Sequence, residues 1–419
     1  MKKSVFFLLF LGIALLSSRF PFSNEDQPAQ AVRVSPALQK ASGPYFTTDH
    51  QNRPVLSWIG QTGPESYRLF YALSKDGGQT FGKPQSVPTS VGVYPHDENL
   101  SKLIWKKNGD MLAVFAVSNP NEQNAYAGLL YYTQSFDGGK TWTPRRQLSP
   151  AKASSIDERY FDLSRLPDGE IGAVWLDSRK SVPSHHGAHH SHEGSSLYFS
   201  RTEGRNGFVK EKSLAGSVCQ CCRTRLYKDD NNQLHLTYRA ILNDSIRDMM
   251  HMVSTDQGQT FSEPKRISFD NWIIRGCPHT GPTMVADQQG LHFAWYTLGN
   301  GAGVFYCQSK DGGKTFTERE NVSGQASAKH PQLAALKDGK LALLWDERSE
   351  KEDQTNFRVG MQIRAANGQI LRREFITPNA VSASYPVVLA MPTHLLVAYT
   401  QKAGGQEEVY FQRVVLGPP

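Results

Sequence analysis

Four of the five cysteines in this chain of 419 residues fall in two short clusters. Cys219, Cys221 and Cys222 lie within Cys219-Gln220-Cys221-Cys222-Arg223, and Cys277 opens Cys277-Pro278-His279-Thr280. Thiolate beside neutral imidazole is a ligand set for copper or zinc, because soft donors prefer soft or borderline ions. The candidate ligands are Cys222, Cys277, His279 and His330, with Cys219, Cys221 and His96 next in line. Asp162 would act behind them, as an acceptor that orients a histidine. A second histidine source is the run Ser184 to His192, which contains His185, His186, His189, His190 and His192. Its composition suggests metal capture or delivery, or a flexible insertion with no ligand. The cysteines can also be joined in disulfides, and an odd set then leaves one thiol over. Cys307 reads as a small buried hydrophobe.

These residues are far apart in sequence, so the elements must bring them together. Four segments nearly superimpose: Ser74 to Phe81, Ser135 to Trp142, Ser254 to Phe261 and Ser309 to Phe316. Each reads S-x-D-x-G-x-T-[WF], the chemistry of a hairpin turn. Asp accepts local backbone N–H bonds, Gly takes positive φ, and the aromatic packs back against the sheet. A second repeat lies upstream, an apolar strand ending in an aromatic after a polar turn. It occurs at Arg53–Trp58, Asp110–Phe115, Glu170–Trp175, Gln233–Tyr238, Leu291–Trp295, Lys340–Trp345 and His394–Tyr399. That spacing suits one four-stranded antiparallel blade per unit. With short alternating strands and no helical period, the expectation is an all-β chain forming a single β-propeller. Seven blades are favoured, and six if one unit is irregular. The last unit lacks an outer strand, which Ala31 to Val34 would supply.

In a propeller, the links between blades share a face with the loops joining second and third strands. Aligning the units places Tyr94 to Asn99, Glu158 to Asp162, Cys219 to Arg223, Cys277 to Thr280, Ser327 to Pro331 and Ser382 to Tyr385 at equivalent starts of inner strands. Four cysteines and three histidines thus meet at one rim, and the histidine-rich run projects from the same side.

The turn repeat resembles the Asp box of the sialidase superfamily, and the repeat pattern covers nearly the whole chain beyond its N-terminal segment. The resemblance implies a propeller, of six blades in sialidases, and, if activity follows, cleavage of a terminal sialic acid. That chemistry uses three arginines, a tyrosine nucleophile assisted by Glu, and an Asp acid/base. Arg159 and Arg223 are the matching substrate-binding candidates, and Tyr385 the matching tyrosine. Asp177, Asp346 and Glu347 end second strands and are the acid/base candidates. Arg159 and Arg223 also read as rim ion pairs, and the acidic strand ends as local salt bridges. At Ser42-Gly43-Pro44 the family's first arginine is absent, so the chain reads as a divergent member. Three function classes remain: a Cys/His metal site used for binding or redox chemistry on a small molecule, a sialidase-like exo-glycosidase, and a non-catalytic binding propeller.

Lys2 and Lys3 followed by the apolar run Val5 to Leu16 and the small residues Ser17 and Ser18 read as an export signal over residues 1–18. An uncleaved anchor is the alternative. The propeller is expected over residues 31–417, in the periplasm or secreted, with no stable membrane span after cleavage. The net charge of +7 is spread along the chain, without a basic tract, which argues against a nucleic-acid partner. A small molecule or glycan is the expected ligand.

Overall fold

A computed structural model of the chain describes residues 30–37, 40–122, 124–149, 157–179, 194–274, 276–349 and 356–416. Residues 1–18, expected to form an export signal, and the histidine-rich run from His185 to His192 lie outside the described residues. Among the described residues no helix is long and apolar enough to cross a membrane.

The chain folds into seven four-stranded antiparallel sheets. Their inner strands are Ala41–Thr48, Lys102–Trp105, Phe161–Arg165, Arg225–Lys228, Thr283–Asp287, Lys329–Ala335 and Ser382–Ala390. Successive inner strands pack side by side around an axis, which makes the sheets the blades of a seven-bladed propeller. The seventh blade is completed by the N-terminal strand Val32–Arg33, with Val32 opposite Phe411 and Arg33 opposite Tyr410. This pairing closes the ring between its first and last strands. The outer edge of the seventh blade is then a strand of only two residues, a short edge of the kind that resists further pairing.

The repeated aromatics explain why the blades stack. Trp58, Phe115, Trp175, Trp295, Trp345 and Tyr399 are fully buried, and Tyr238 nearly so. Each lies between blades: Trp58 packs with Leu396, Ala398 and Phe411 of the seventh blade, and Trp345 with Val285 and Ala294 of the fifth. A large ring at one position per repeat therefore fills the wedge between neighbouring sheets.

The four Asp boxes share one hydrogen-bond plan. In the first, Ser74 Oγ donates to Asp76 at 2.8 Å and accepts from the Gly78 N–H, while Thr80 donates to Asp76 through both its N–H and its hydroxyl. The Thr80 bonds hold the Asp76 carboxyl down to about 2. The box aromatics reach the neighbouring blade as well as their own: Phe81 meets Phe411 edge-on at 4.9 Å and Phe261 meets Phe199 at 5.4 Å, while Phe316 meets Phe293 of its own blade at 5.5 Å. The second box glycine faces the same way. A Cβ on Gly258, which has φ +82°, would lie 2.4 Å from the Phe199 ring. The boxes are thus staples between blades, on the face opposite the candidate site.

Candidate functional site

At the mouth of the channel, on the face away from the Asp boxes, three inner strands are interrupted at the same place. The ladders shift between Ser42 and Tyr45, between Lys329 and Gln332, and between Ser384 and Val387. Each shift contains a residue at positive φ followed by proline: Gly43 (+63°), His330 (+50°) and Tyr385 (+54°). His279, after Pro278, is at +50° as well. Glycine adopts this conformation freely, whereas a bulky residue is strained by about 1–2 kcal/mol. Such strain, together with bulges that re-aim side chains, is concentrated at functional sites. Here it turns His279, His330 and Tyr385 toward the channel mouth region.

Two of the sequence clusters come together. Cys219, Cys221 and Cys222 are buried, and their sulfur atoms lie within 4.8 Å of one another. Cys219 Sγ is 3.2 Å from Cys222 Sγ and 3.7 Å from Cys221 Sγ. Cys221 also groups with the exposed Cys277 and His279 of the next blade, again within 4.8 Å. The five residues therefore form one continuous patch that runs from the interior to the surface. The Cys221 and Cys222 thiols, sharing hydrogens with it, pull Cys219 well below the ordinary thiol range, with Arg247 and Arg239 adding to the effect. Those two guanidiniums donate to main-chain carbonyls of Tyr296, Arg247 and Ile274, so their charge faces the sulfur cluster without a carboxylate in that contact set. A hydrogen bond from Cys221 likewise lowers Cys277. The arrangement favours thiolate at Cys219 and Cys277, while Cys221 and Cys222 are pushed up as thiols.

His96 stands beside this patch, its ring centroid 5.9 Å from that of His279. Burial lowers its pKa, so the ring is neutral. Its Nδ1 accepts the Glu98 N–H at 3.1 Å, which puts the proton on Nε2 and makes that atom a donor.

His330 belongs to a different group. Its Nδ1 contacts Asp346 at 2.7 Å and its Nε2 contacts Glu98 at 3.0 Å, while its ring stacks on Tyr385 at 4.1 Å. Burial alone would lower its pKa, but the Asp346 and Glu98 carboxylates outweigh that and raise it to about 9. The ring is an imidazolium with no lone pair to offer. Glu98 also pairs with Arg223 at 2.8 Å, and Asp346 accepts the Tyr385 N–H at 2.7 Å. Glu98, absent from the sequence-derived candidates, is thus the junction between Arg223 and His330. It lies in the Tyr94 to Asn99 stretch, at the same blade position as the ligands, and that register was the available signal.

Next to these groups lies a cavity of about 240 Å³ lined by Lys40, Ser42, Tyr67, His96, Asp97 and Tyr385, among others. Burial raises the Asp97 carboxyl to about 6, and its Oδ1 is buried without a hydrogen-bond partner among the described residues.

The remaining candidates sit in separate contacts. Arg159 forms a bidentate pair with Asp157, at 2.7 and 2.8 Å. Asp177 holds Arg179 and receives the Trp175 indole N–H. Glu347 accepts from Trp345 at 2.7 Å and Arg358 at 3.0 Å. Asp162 was expected to orient a histidine and instead faces two cations. Lys102 Nζ is 2.6 Å from it and Arg225 3.5 Å, so it is a rung of a buried ion-pair plug across the channel. The inner strands bring Lys102 and Arg225 to that depth, whereas the histidines lie at the rim.

Residues 97–273 match the BNR repeat-like domain. Among solved structures, the NanB sialidase of Streptococcus pneumoniae is similar at 14% identity over 95% of this chain and 71% of that one, with a TM-score of 0.50. A protein of unknown function from Dyadobacter fermentans aligns at 14% identity over 93% of this chain and 98% of that one, with a TM-score of 0.49. No curated protein matches the chain in sequence. At such identities the structural likeness speaks for the fold. Residues 97–273 thus carry a BNR repeat-like domain, and the seven-bladed ring with its four Asp boxes has the β-propeller fold of that NanB sialidase.

Proposed function

We propose that this propeller binds a soft metal ion, copper(I) or zinc, at the rim patch formed by Cys221, Cys277 and His279, with Cys219 and Cys222 as adjoining thiols. The observation that carries the reading is the approach of three ligand atoms from two blades to within 4.8 Å of one another. Sulfur ligands about 2.3 Å from an ion stand up to about 4.6 Å apart across it, so small side-chain movements close the site. The Arg247 charge supports thiolate, the ligand form, at Cys277 and Cys219, whereas Cys221, pushed up by its neighbouring thiols, would lose its proton on binding the ion. His96 lines the neighbouring cavity and faces His279, so a small molecule held there would lie beside the metal. The reading includes export, based on the segment from Lys2 to Ser18, and redox chemistry on that molecule.

The test is elemental analysis of untagged, reduced protein after exposure to copper(I) or zinc and desalting. Near-stoichiometric metal in the wild type, lost in the double variant C277S/H279A, is the expected result. Equal metal in both, or none in either, overturns the assignment. A second reading, glycoside hydrolysis, draws on Tyr385 and Asp97 lining one cavity. It would be favoured by turnover of an aryl glycoside that is abolished in Y385F and unaffected in C277S/H279A.

A further inference from the structure

The four clustered thiols are graded in exposure. Cys277 is exposed, whereas Cys219, Cys221 and Cys222 are at most 3% exposed. They also form an unbroken chain of short sulfur contacts. Cys277 reaches Cys221 within 4.8 Å, Cys221 reaches Cys219 at 3.7 Å, and Cys219 reaches Cys222 at 3.2 Å. The last separation is the shortest, and Cys219 and Cys222 stand three residues apart. The fifth thiol, Cys307, is buried in another cluster with Met249, Phe293 and Trp295.

Thiol–disulfide exchange needs a thiolate to meet a disulfide sulfur, so contact and access decide its order. An oxidant from solution meets Cys277 alone among these four. We propose that Cys277 is the entry point of a disulfide relay that ends at the buried Cys219–Cys222 pair and takes a small organic disulfide as its oxidant.

The steps balance as follows. The Cys277 thiolate attacks one sulfur of the small disulfide, whose S–S bond breaks and releases one small thiolate. Cys221 then attacks the Cys277 sulfur and releases the second. The small disulfide has been reduced to two thiols, and Cys221 and Cys277 have lost two electrons and two protons to form a bond. Cys219 next attacks Cys221 and frees Cys277, and Cys222 attacks Cys219 and frees Cys221. The disulfide now lies at Cys219–Cys222. A second oxidant molecule repeats the first two steps and leaves Cys221–Cys277 joined as well. The relay uses thiols that the metal reading assigns as ligands, so full oxidation and metal binding exclude each other.

The test treats reduced, chelator-stripped protein with oxidised glutathione, followed by acid quench, alkylation in denaturant and peptide mapping. The wild type is expected to fall from five free thiols to one, Cys307, with glutathione trapped first on Cys277. C277S should keep its remaining thiols reduced, oxidising at least about 10-fold more slowly. C219S should stop at Cys221–Cys277, with Cys222 and Cys307 free. Circular dichroism of both variants establishes that they are folded. Oxidation of C277S at the wild-type rate, glutathione trapped first on another cysteine, or no loss of thiols in the wild type would each overturn the relay. Metal uptake is measured separately on the reduced wild type. Its absence would end the metal reading and leave the thiol counts to decide the relay.

Discussion

His330 provides a direct measure of the forces at the channel mouth. Its imidazolium is clamped between Asp346 and Glu98 and stacked on Tyr385. Its pKa rises from 6.5 in a free ring to about 9 in the fold. At about 1.4 kcal/mol per pH unit, the clamp is worth about 3 kcal/mol to the folded state. The sign follows from linkage: a group whose pKa is raised on folding stabilises fully below its unfolded value and loses that contribution as pH rises through its folded value. The contribution is therefore complete below about pH 6.5 and gone above about pH 9. The assay is urea unfolding of wild type and H330Q at fixed temperature across that interval. Glutamine cannot titrate there, so subtracting the variant removes other groups. The stability advantage of the wild type should shrink by about 3 kcal/mol from the acid to the alkaline end. An advantage that stays constant, or grows with pH, would refute the ion-pair clamp.

Lys102 and Asp162 form a buried pair at 2.6 Å in the channel plug. K102M leaves the carboxylate with the more distant Arg225, and a loss of about 3 kcal/mol is expected in urea unfolding. G258A places a methyl group 2.4 Å from the Phe199 ring at φ +82°. Strain and overpacking together should cost about 2–4 kcal/mol, readable as a lower thermal midpoint, whereas the same change at Gly77, with nothing within 4 Å of its Cβ, should cost only the strain. Burial, then the neighbouring Asp177 charge, raises the Glu158 carboxyl, so it is held as the neutral acid at the rim. E158Q copies that form and should be at least as stable as wild type at neutral pH, while D177N takes one of two carboxylates from Arg179, leaving Glu211, and should lose about 2 kcal/mol. Equal losses in the two variants would show that Glu158 is ionised.

The repeated motifs carry local and nearest-neighbour physics, and that part of the protein was legible without coordinates. A Ser, an Asp, a Gly and a Thr at fixed offsets close a turn by bonds within eight residues, as Ser74 to Phe81 does. An aromatic at each second-strand end reports one wedge between blades, and counting seven of them counts the sheets. The missing outer strand of the last unit pointed to the N-terminal residues that pair with Phe411 and Tyr410. Blade register also located the common rim of the cysteines and histidines, because equivalent positions in a repeat occupy equivalent places in the ring.

What register leaves open is the direction and partnership of each side chain, which depends on residues hundreds of positions away. His279 and His330 stand at matching strand starts, both at positive φ, yet one faces sulfur and the other lies between two carboxylates. Glu98 makes that difference, and its effect on His330 is invisible until blades two and six close across the mouth. Asp162 looked like a partner for a histidine, but strand depth put Lys102 and Arg225 against it. The sequence by itself determined the repeat and favoured seven blades over six, since those follow from short-range turns and one packing interface used once per repeat; the ring of seven sheets settled the number. Only the tertiary structure decided which charges neutralise one another and which sulfur atoms touch, because those energies depend on distances of a few ångströms between distant parts of the chain.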